Sequence, residues 1–185
     1  MTRRIGRLPA LLIAALVAGC AMQPRPPSPQ APLLKLPPAA LGYSLSQHQQ
    51  LTVEAPGRQP QRAEVLLEVD AEVVRLALLS MGRTTARLEW DGHRLHQQRA
   101  PWWPVEMSGE RVLSELQLSL WPVEAIRTAL PEGWSLLESG NQRSLWWHGQ
   151  AVILVRRDTR GGIEFAHLVA GYRLLIEVLD LEAAP

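Results

Sequence analysis

The chain has 185 residues, and its 19 Lys and Arg against 18 Asp and Glu give a formal net charge of +1. This length suits a single folded domain. The balanced charge argues against a nucleic-acid partner, because no basic field is available to hold a phosphate backbone. A single Cys excludes an internal disulfide and a cysteine-based zinc cluster.

The N-terminus has the pattern of an export signal. Arg3, Arg4 and Arg7 precede an uncharged apolar run over residues 8–18, which is too short to span a bilayer. Small residues lead directly into Cys20, the only Cys. The segment resembles a bacterial lipoprotein signal, in which the Cys becomes the acylated first residue of the mature protein. The alternative is a plain secretory signal with an incidental Cys.

The lipoprotein resemblance implies a cellular location. Residues 1–19 would be removed, and Cys20 would be the lipid anchor. Ala21 follows the Cys in place of the Asp that retains enterobacterial lipoproteins at the inner membrane. By that resemblance the protein is lipid-anchored at the periplasmic face of the outer membrane.

A proline-rich segment follows the Cys. Residues 22–38 contain seven Pro in seventeen positions, a composition that favours extended chain and acts as a semi-rigid spacer. We therefore assign residues 20–39 to an acylated tether and residues 40–183 to one folded domain.

The domain reads mainly as β-strands. Over Thr84–Asp91, Ala86, Leu88 and Trp90 alternate with polar residues, Thr85 among them, as in a strand with one face in water. Short glycine-containing turns separate similar segments, which makes neighbouring strands antiparallel. The other strands are expected at Leu45–Val53, Ala63–Val69, Val73–Leu79, Arg94–Arg99, Trp134–Ser139, Arg143–His148, Ala151–Arg157, Ile163–Val169 and Arg173–Leu181.

Two helices interrupt the strands. Ser108 is a suitable N-cap for a helix whose apolar residues Val112, Leu116 and Leu120 recur at helical spacing. Pro122 suits the first position of a second helix. Five strands, two short helices and five further strands predict an α+β fold, in which a large curved antiparallel sheet has a helix pair against one face.

Two arrangements of this sheet stay open. It can close tightly on its own side chains, or it can form a half-barrel with an apolar hollow under the helices, as a lipid or acyl chain would need.

We find no phosphate-binding loop, no GxSxG and no HExxH. His93 and His96 are three apart on a strand and point to opposite faces. We therefore expect no catalytic residue, metal or cofactor, and a protein that is not an enzyme.

Two segments carry a resemblance to a known family. The strand, apolar-tipped loop and strand over residues 74–84 and the helix pair over residues 110–134 resemble LolB, an outer-membrane lipoprotein that receives lipoproteins from the periplasmic carrier LolA. The likeness covers roughly residues 64–136. The helix pair followed by Leu-Pro-x-Gly-Trp is also similar to an uncharacterised family of Gram-negative lipoproteins that often accompany aryl polyene biosynthesis genes.

The resemblance implies a LolA/LolB-like half-barrel that binds acyl, lipoprotein or polyene-lipid cargo in an apolar cavity and aids its transfer or insertion into the outer membrane. The residue matching the membrane-inserting loop tip of LolB is Met81, which otherwise would fold back into the core. We expect a monomer that can receive cargo from a LolA-like periplasmic carrier. The alternative is a structural lipoprotein that docks a periplasmic partner, and a cavity in place of a solid core separates the two.

Large apolar side chains are the candidates for the cavity wall and its lid. Two adjacent Trp between prolines, Trp102 and Trp103, are poorly suited to a regular strand and can form a lid or plug the core. The residues expected at the cavity or its lid are Trp90, Trp102, Trp103, Trp121, Ile126, Trp134, Trp146 and Phe165.

Overall fold

A computed structural model describes residues 29–103 and 107–179. The two helices are α1 (Gly109–Leu120) and α2 (Val123–Ala129). The ten strands are β1 (Leu45–Glu54), β2 (Gln61–Val69), β3 (Val74–Ser80), β4 (Arg83–Trp90), β5 (Leu95–Arg99), β6 (Trp134–Ser139), β7 (Gln142–Trp147), β8 (Gln150–Arg157), β9 (Ile163–His167) and β10 (Tyr172–Val178).

All ten strands belong to one antiparallel sheet. Its order is β5-β4-β3-β2-β1-β10-β9-β8-β7-β6, so β5 and β6 form its two free edges. The sheet does not close, and the protein is an α+β open half-barrel, which confirms the predicted fold class. The helix boundaries also follow the prediction closely: Ser108 caps α1 by accepting a hydrogen bond from the Arg111 amide, whereas Pro122 is the N-cap of α2 and not its first residue.

The helix pair connects the two edges of the sheet. At the start of α1, a Cβ on Gly109 would lie 2.5 Å from the Gln97 side chain of β5 and 2.9 Å from Leu88 of β4, so a larger residue would require these side chains to move. Beyond α2, Arg127 donates a hydrogen bond from Nε to the Leu136 carbonyl of β6 (3.1 Å). The helices therefore cross the open side of the half-barrel, from one edge to the other.

The core lies between α1 and the inner face of the sheet. Ala86, Leu88 and Trp90 of β4 are buried as the alternation predicts. Thr85 is buried too, although the alternation assigns it to the outer face. The register of β3 and β4 shifts at Leu78, leaving Thr85 as an extra residue that donates its hydroxyl to the Leu78 carbonyl (3.1 Å). A bulge of this kind interrupts the period of two.

Part of the predicted tether packs against the domain. Leu34 and Leu36 are only 3% and 7% exposed. The chain then makes one turn of 3-10 helix over Pro38–Leu41. The folded unit therefore begins well before residue 40, because leucines interspersed among the prolines bury themselves beside α1. The predicted signal and Cys20 lie outside the described residues.

Residues 31–37, which we call the strap, are bound to α1 through polar side chains. Gln117, completely buried, accepts a hydrogen bond from the Leu36 amide (3.0 Å) and donates one to the Leu36 carbonyl (2.9 Å). Ser114 accepts from the Leu34 amide and donates to the Pro32 carbonyl, both at 3.0 Å. These two side chains satisfy a segment of backbone that no strand pairs with.

Two tryptophans complete the attachment of the strap. Trp90 of β4 donates to the Leu36 carbonyl (2.8 Å), and Trp121 at the end of α1 donates to the Pro37 carbonyl (3.1 Å). Both indoles are buried. The strap is thus held between the sheet and α1 by hydrogen bonds from both.

The C-terminal end of α1 is bound by two arginines of the sheet. Arg143, only 3% exposed, donates from Nη1 to the carbonyls of Leu118 (2.7 Å) and Trp121 (2.9 Å). Arg157 donates from Nη2 to the Ser119 carbonyl (2.6 Å). The last carbonyls of a helix lack partners within it and carry partial negative charge, so guanidinium groups stabilise this end.

Replacing the central side chain of this attachment, Gln117→Leu, should lower the free energy of unfolding by about 2–3 kcal/mol, because the buried Leu36 amide loses its acceptor. Urea denaturation followed by tryptophan fluorescence measures the loss. The matched variant Gln98→Leu, on the exposed face of β5, should change stability by less than about 0.5 kcal/mol. Equal stability of the two variants would contradict the structural role of the strap.

Candidate ligand cavity

An apolar cavity of about 390 Å³ lies between α1 and the central strands of the sheet. This volume is within the range of small-molecule sites, about 300–1,000 Å³. Strands β1, β2, β3, β9 and β10 provide its floor. The apolar residues from these strands that line it are Leu51, Val53, Val65, Leu76, Leu78, Ile163, Phe165, Leu174 and Ile176.

Helix α1 forms the roof of the cavity with one of its two sides. The residues that line the cavity are Arg111, Val112, Glu115, Leu116, Ser119 and Leu120. At about 100° per residue they occupy one half of the helical circumference. The other half consists of Leu113, Ser114, Gln117, Leu118 and Trp121, which are buried against the strap and the sheet. One side of α1 thus attaches the helix, and the other faces the hollow.

A polar cluster interrupts the apolar roof. The Tyr172 hydroxyl of β10 donates a hydrogen bond to Oε1 of Glu115. Arg111 lies one helical turn before Glu115, so both side chains project from the same side of α1. The Tyr172 ring stacks on Phe165 with centroids 6.4 Å apart and lies 5.2 Å from the imidazole of His167. A cation, a carboxyl and a phenol therefore share one wall of a largely apolar space.

The environment changes the acidity of these groups. Burial raises the pKa of Glu115 to about 7, although the hydrogen bond from Tyr172 and the charge of Arg111 oppose the shift. Burial and the adjacent Glu115 raise the pKa of Tyr172 far above its usual value. Burial lowers the pKa of His167, and the charge of Arg111 lowers it further. Near neutral pH, the Glu115 carboxyl is therefore divided between its protonated and ionised forms, while Tyr172 stays protonated.

The opening of the cavity coincides with one end of the sheet. Arg58 and Gln59 from the β1–β2 connection and Ala170 from the β9–β10 turn are among the lining residues. The antiparallel register places both connections at the end of the sheet where β3 turns into β4.

Met81 forms the tip of the β3–β4 turn. It and Gly82 both have positive φ, 49° and 69°, as the type I′ turn of a two-residue hairpin requires. Met81 is 97% exposed and does not fold back into the core. The Ala100 amide donates a hydrogen bond to the Thr85 carbonyl, which places the chain after β5 at the same end of the sheet. Trp102, two residues farther on, is 68% exposed there. Two large apolar side chains thus lie in solvent on the side where the cavity opens.

Only one of the eight residues predicted for the cavity or its lid lines it, namely Phe165. Trp90, Trp121 and Ile126 are buried in the core, where the two indoles bind the strap. The size of an apolar side chain therefore does not tell whether it lines the cavity or fills the core.

The remaining tryptophans are not among the residues that line the cavity either. Trp134 packs at the sheet edge near Trp147, with ring centroids 6.5 Å apart. Trp146 donates to the Ser144 hydroxyl (2.8 Å) on the opposite face from Leu145. Trp103 donates to the Met107 carbonyl (2.7 Å), so of the adjacent pair only Trp102 is exposed.

Sequence reasoning did not identify Arg111, Glu115 or Tyr172. The signal available for the first two is their i, i+4 spacing beside Val112 and Leu116, which places charged groups next to the apolar stripe of a short helix. The approach of Tyr172 depends on the pairing of β10 with β1, which local pattern does not specify.

The fold and the site define an open α+β half-barrel with an amphipathic cavity beneath its connecting helix. Residues 46–180 match a family described as "Protein of unknown function (DUF3261)", and the chain belongs to that family. A search of the curated proteins finds no match.

Two further properties concern the described residues only. Neither helix within residues 29–103 and 107–179 is long and apolar enough to cross a membrane. In the same ranges, His, Cys, Asp and Glu form no group of three or more that could hold a metal ion.

Replacing the buried carboxyl by its neutral isostere, Glu115→Gln, should flatten the pH dependence of stability. Because the folded-state pKa of about 7 exceeds the ordinary glutamate pKa of 4.5, the folded protein binds more protons between these values. Its free energy of unfolding should therefore fall as pH rises through this window, by on the order of 2 kcal/mol.

Urea unfolding at a series of pH values between about pH 5 and pH 8 measures this difference. Glu110→Gln, on the same helix but outside the cavity, should retain the decline of the unmodified protein. A Glu115→Gln protein whose stability still falls as steeply would show that another group is responsible.

Proposed function

We propose that this protein is a carrier that binds acyl, lipoprotein or polyene-lipid cargo in the cavity beneath α1 and aids its transfer or insertion into the outer membrane. No covalent chemistry is needed. The driving force is burial of the cargo's apolar chain, balanced against its burial in the membrane. The single observation that carries this proposal is the 390 Å³ hollow with a mainly apolar wall.

The hollow favours a carrier over a docking module. A protein that serves only to present a surface to a partner is expected to have a packed interior, since empty apolar space sacrifices contacts and stability. Here the half-buried side chains Val112, Leu116, Leu174 and Ile176 adjoin unfilled volume. Cargo of matching chemistry would restore the missing contacts.

The exposed end of the sheet supports a membrane step. Met81 and Trp102 lie at the end where the cavity opens, and such side chains partition into the acyl and headgroup regions of a bilayer. We propose that Met81 enters the membrane while the cavity opening faces it, as the resemblance to the loop tip of LolB implies. Cargo would then leave along an apolar path.

We further propose that acylated Cys20 holds the protein at the periplasmic face of the outer membrane, where a LolA-like carrier can deliver cargo. The chain is bound to α1 from Pro32 onward, so the tether between Cys20 and the domain would end at the strap. The protein would act as a monomer. The resemblance of this chain to uncharacterised lipoproteins that accompany aryl polyene genes makes a polyene lipid one cargo to test.

A larger side chain in the cavity should reduce cargo binding. In Leu174→Trp the added ring occupies the hollow, whereas in Leu175→Trp the neighbouring side chain of the same strand points to the opposite face. We expect the first variant to bind cis-parinaric acid at least about tenfold more weakly, a difference of about 1.4 kcal/mol.

Energy transfer from tryptophan to cis-parinaric acid measures this binding on the purified full-length protein. Both variants add one tryptophan, so their signals are comparable, and the Leu175→Trp protein should bind like the unmodified one. Failure of the unmodified protein to bind the probe at all would reject the carrier function and favour the docking module.

The membrane step is tested by Met81→Glu, which places a charge at the loop tip. Transfer of bound cis-parinaric acid to phosphatidylcholine vesicles should slow by about tenfold or more, because burial of the Met side chain in the bilayer is lost. The equilibrium affinity for the probe should not change. Leu137→Glu, at an exposed apolar position of β6, is the control, and equal transfer rates of the two variants would argue against Met81 as the inserting residue.

A further inference from the structure

Within the part of the chain that the structure describes, the charged groups that line the cavity are two arginines and one carboxyl. They are Arg58 near the opening and Arg111 and Glu115 on the roof. Since the pKa of Glu115 is raised to about 7, the ionised side chains around the hollow are predominantly positive below this pH. An apolar wall with one cationic side suits a ligand that is amphipathic and anionic.

We propose that Arg111, Tyr172 and Glu115 form a head-group site for a carboxylate, so that the cargo is a chain with a free terminal carboxyl rather than an ester or a fully apolar lipid. This inference rests on the proposed carrier function and identifies the chemical class of its cargo. The apolar chain would lie along Val112 and Leu116, and the carboxylate would bind beside Arg111.

The Arg111 guanidinium has capacity for such a ligand. Among the described residues, no carboxylate oxygen lies within 4.0 Å of its nitrogens. Its side chain nevertheless faces the hollow and influences both Glu115 and Tyr172. A planar guanidinium binds a carboxylate through two parallel hydrogen bonds, and the low polarity of the surroundings strengthens that pairing.

The Glu115 carboxyl completes the site when it is protonated. Its Oε1 already accepts the hydrogen bond from Tyr172, so the second oxygen carries the proton and can donate it in a hydrogen bond to the ligand carboxylate. When Glu115 ionises, it repels the ligand and competes for Arg111. Carboxylate binding is therefore coupled to uptake of one proton by Glu115.

A carboxylate fits this charge better than other head groups do. A phosphate monoester carries close to two negative charges at neutral pH, which Arg111, the one arginine of the proposed head-group site, cannot balance alone. An ammonium group would meet Arg111, a like charge, at close range in a poorly polar space. One cation and one neutral carboxyl match one carboxylate.

The expected pH dependence belongs to Glu115, because the other groups around it do not change charge in the same range. From α1 it faces Arg111, from β10 Tyr172, and from β9 His167 lies next to Tyr172. Arg58 stands farther out, at the opening. Strand β1 contributes Gln49, which does not ionise. Burial lowers the pKa of His167 and raises that of Tyr172, which moves both titrations away from that of Glu115.

The test compares cis-parinaric acid with its methyl ester on the purified full-length protein. The two probes have the same chain and differ only in the head group, so the ratio of their dissociation constants measures recognition of the carboxylate. We expect the acid to bind about tenfold more tightly at about pH 6. Both affinities are read from energy transfer from tryptophan to the probe.

Variants assign the preference to the named residues. In Arg111→Gln the preference should fall to about one while ester binding stays unchanged, which also shows that the cavity is intact. Arg62→Gln removes the same charge from the position after the cavity residue Gln61, on the outer face of β2, and should keep the full preference.

The pH series tests the proton coupling. The preference of the unmodified protein should fall several-fold between about pH 6 and pH 8, as Glu115 ionises. In Glu115→Gln it should stay constant, since that side chain has no proton to lose. The probe acid is itself ionised throughout, because a free carboxyl titrates near pH 4 to 5.

The outcomes separate the two proposals. Equal affinity for acid and ester, or a preference that survives Arg111→Gln, would overturn the carboxylate site and leave the carrier function standing. A preference that changes with pH to the same extent in Glu115→Gln would remove Glu115 from the site. Absence of binding for both probes would reject the carrier function itself.

Discussion

The position of α1 depends on polar contacts, most of which are made by its strap-facing side and by its C-terminal end. Ser114 and Gln117 bind the backbone of the strap, and Arg143 and Arg157 bind the last carbonyls of the helix. Such contacts are directional and hold the helix at a set distance, whereas apolar contacts alone would favour collapse onto the sheet. The helix can therefore roof a hollow instead of filling it.

The hollow follows from this attachment together with the open sheet. Ten strands provide more inner face than two short helices cover, and the strap fills only the part beside Leu34 and Leu36. The remaining inner face, over β1 to β3 and β9 to β10, is left to the cavity. The same geometry encloses Glu115 so that its pKa rises to about 7. The attachment of α1 above the open sheet thus produces both the hollow and the raised pKa of Glu115 at the proposed cargo site.

The two ends of the sheet differ in chemistry. At one end, the arginines of β7 and β8 bind the C-terminus of α1. The other end carries the hairpin connections that line the cavity opening, together with the exposed Met81 and Trp102. This difference suits a carrier that exchanges cargo with a membrane at the end where the cavity opens.

The sequence by itself determined the ten strands, the two helices and the antiparallel α+β class, because periods of two and 3.6, turn glycines and helix caps are local properties. Local pattern was wrong for Thr85, which alternation places on the outer face. A bulge that depends on the pairing of β3 with β4 buries this residue instead. The burial of Leu34 and Leu36 in a proline-rich segment depended on Gln117 and Trp90, more than fifty positions away along the chain. Only the tertiary structure decided which large side chains line the hollow. Trp90, Trp121 and Ile126 are large and apolar like the cavity residues, yet they fill the core. The cluster of Arg111, Glu115 and Tyr172 likewise exists only once β10 pairs with β1 and α1 is held above them, because burial and proximity between distant segments have no local signature.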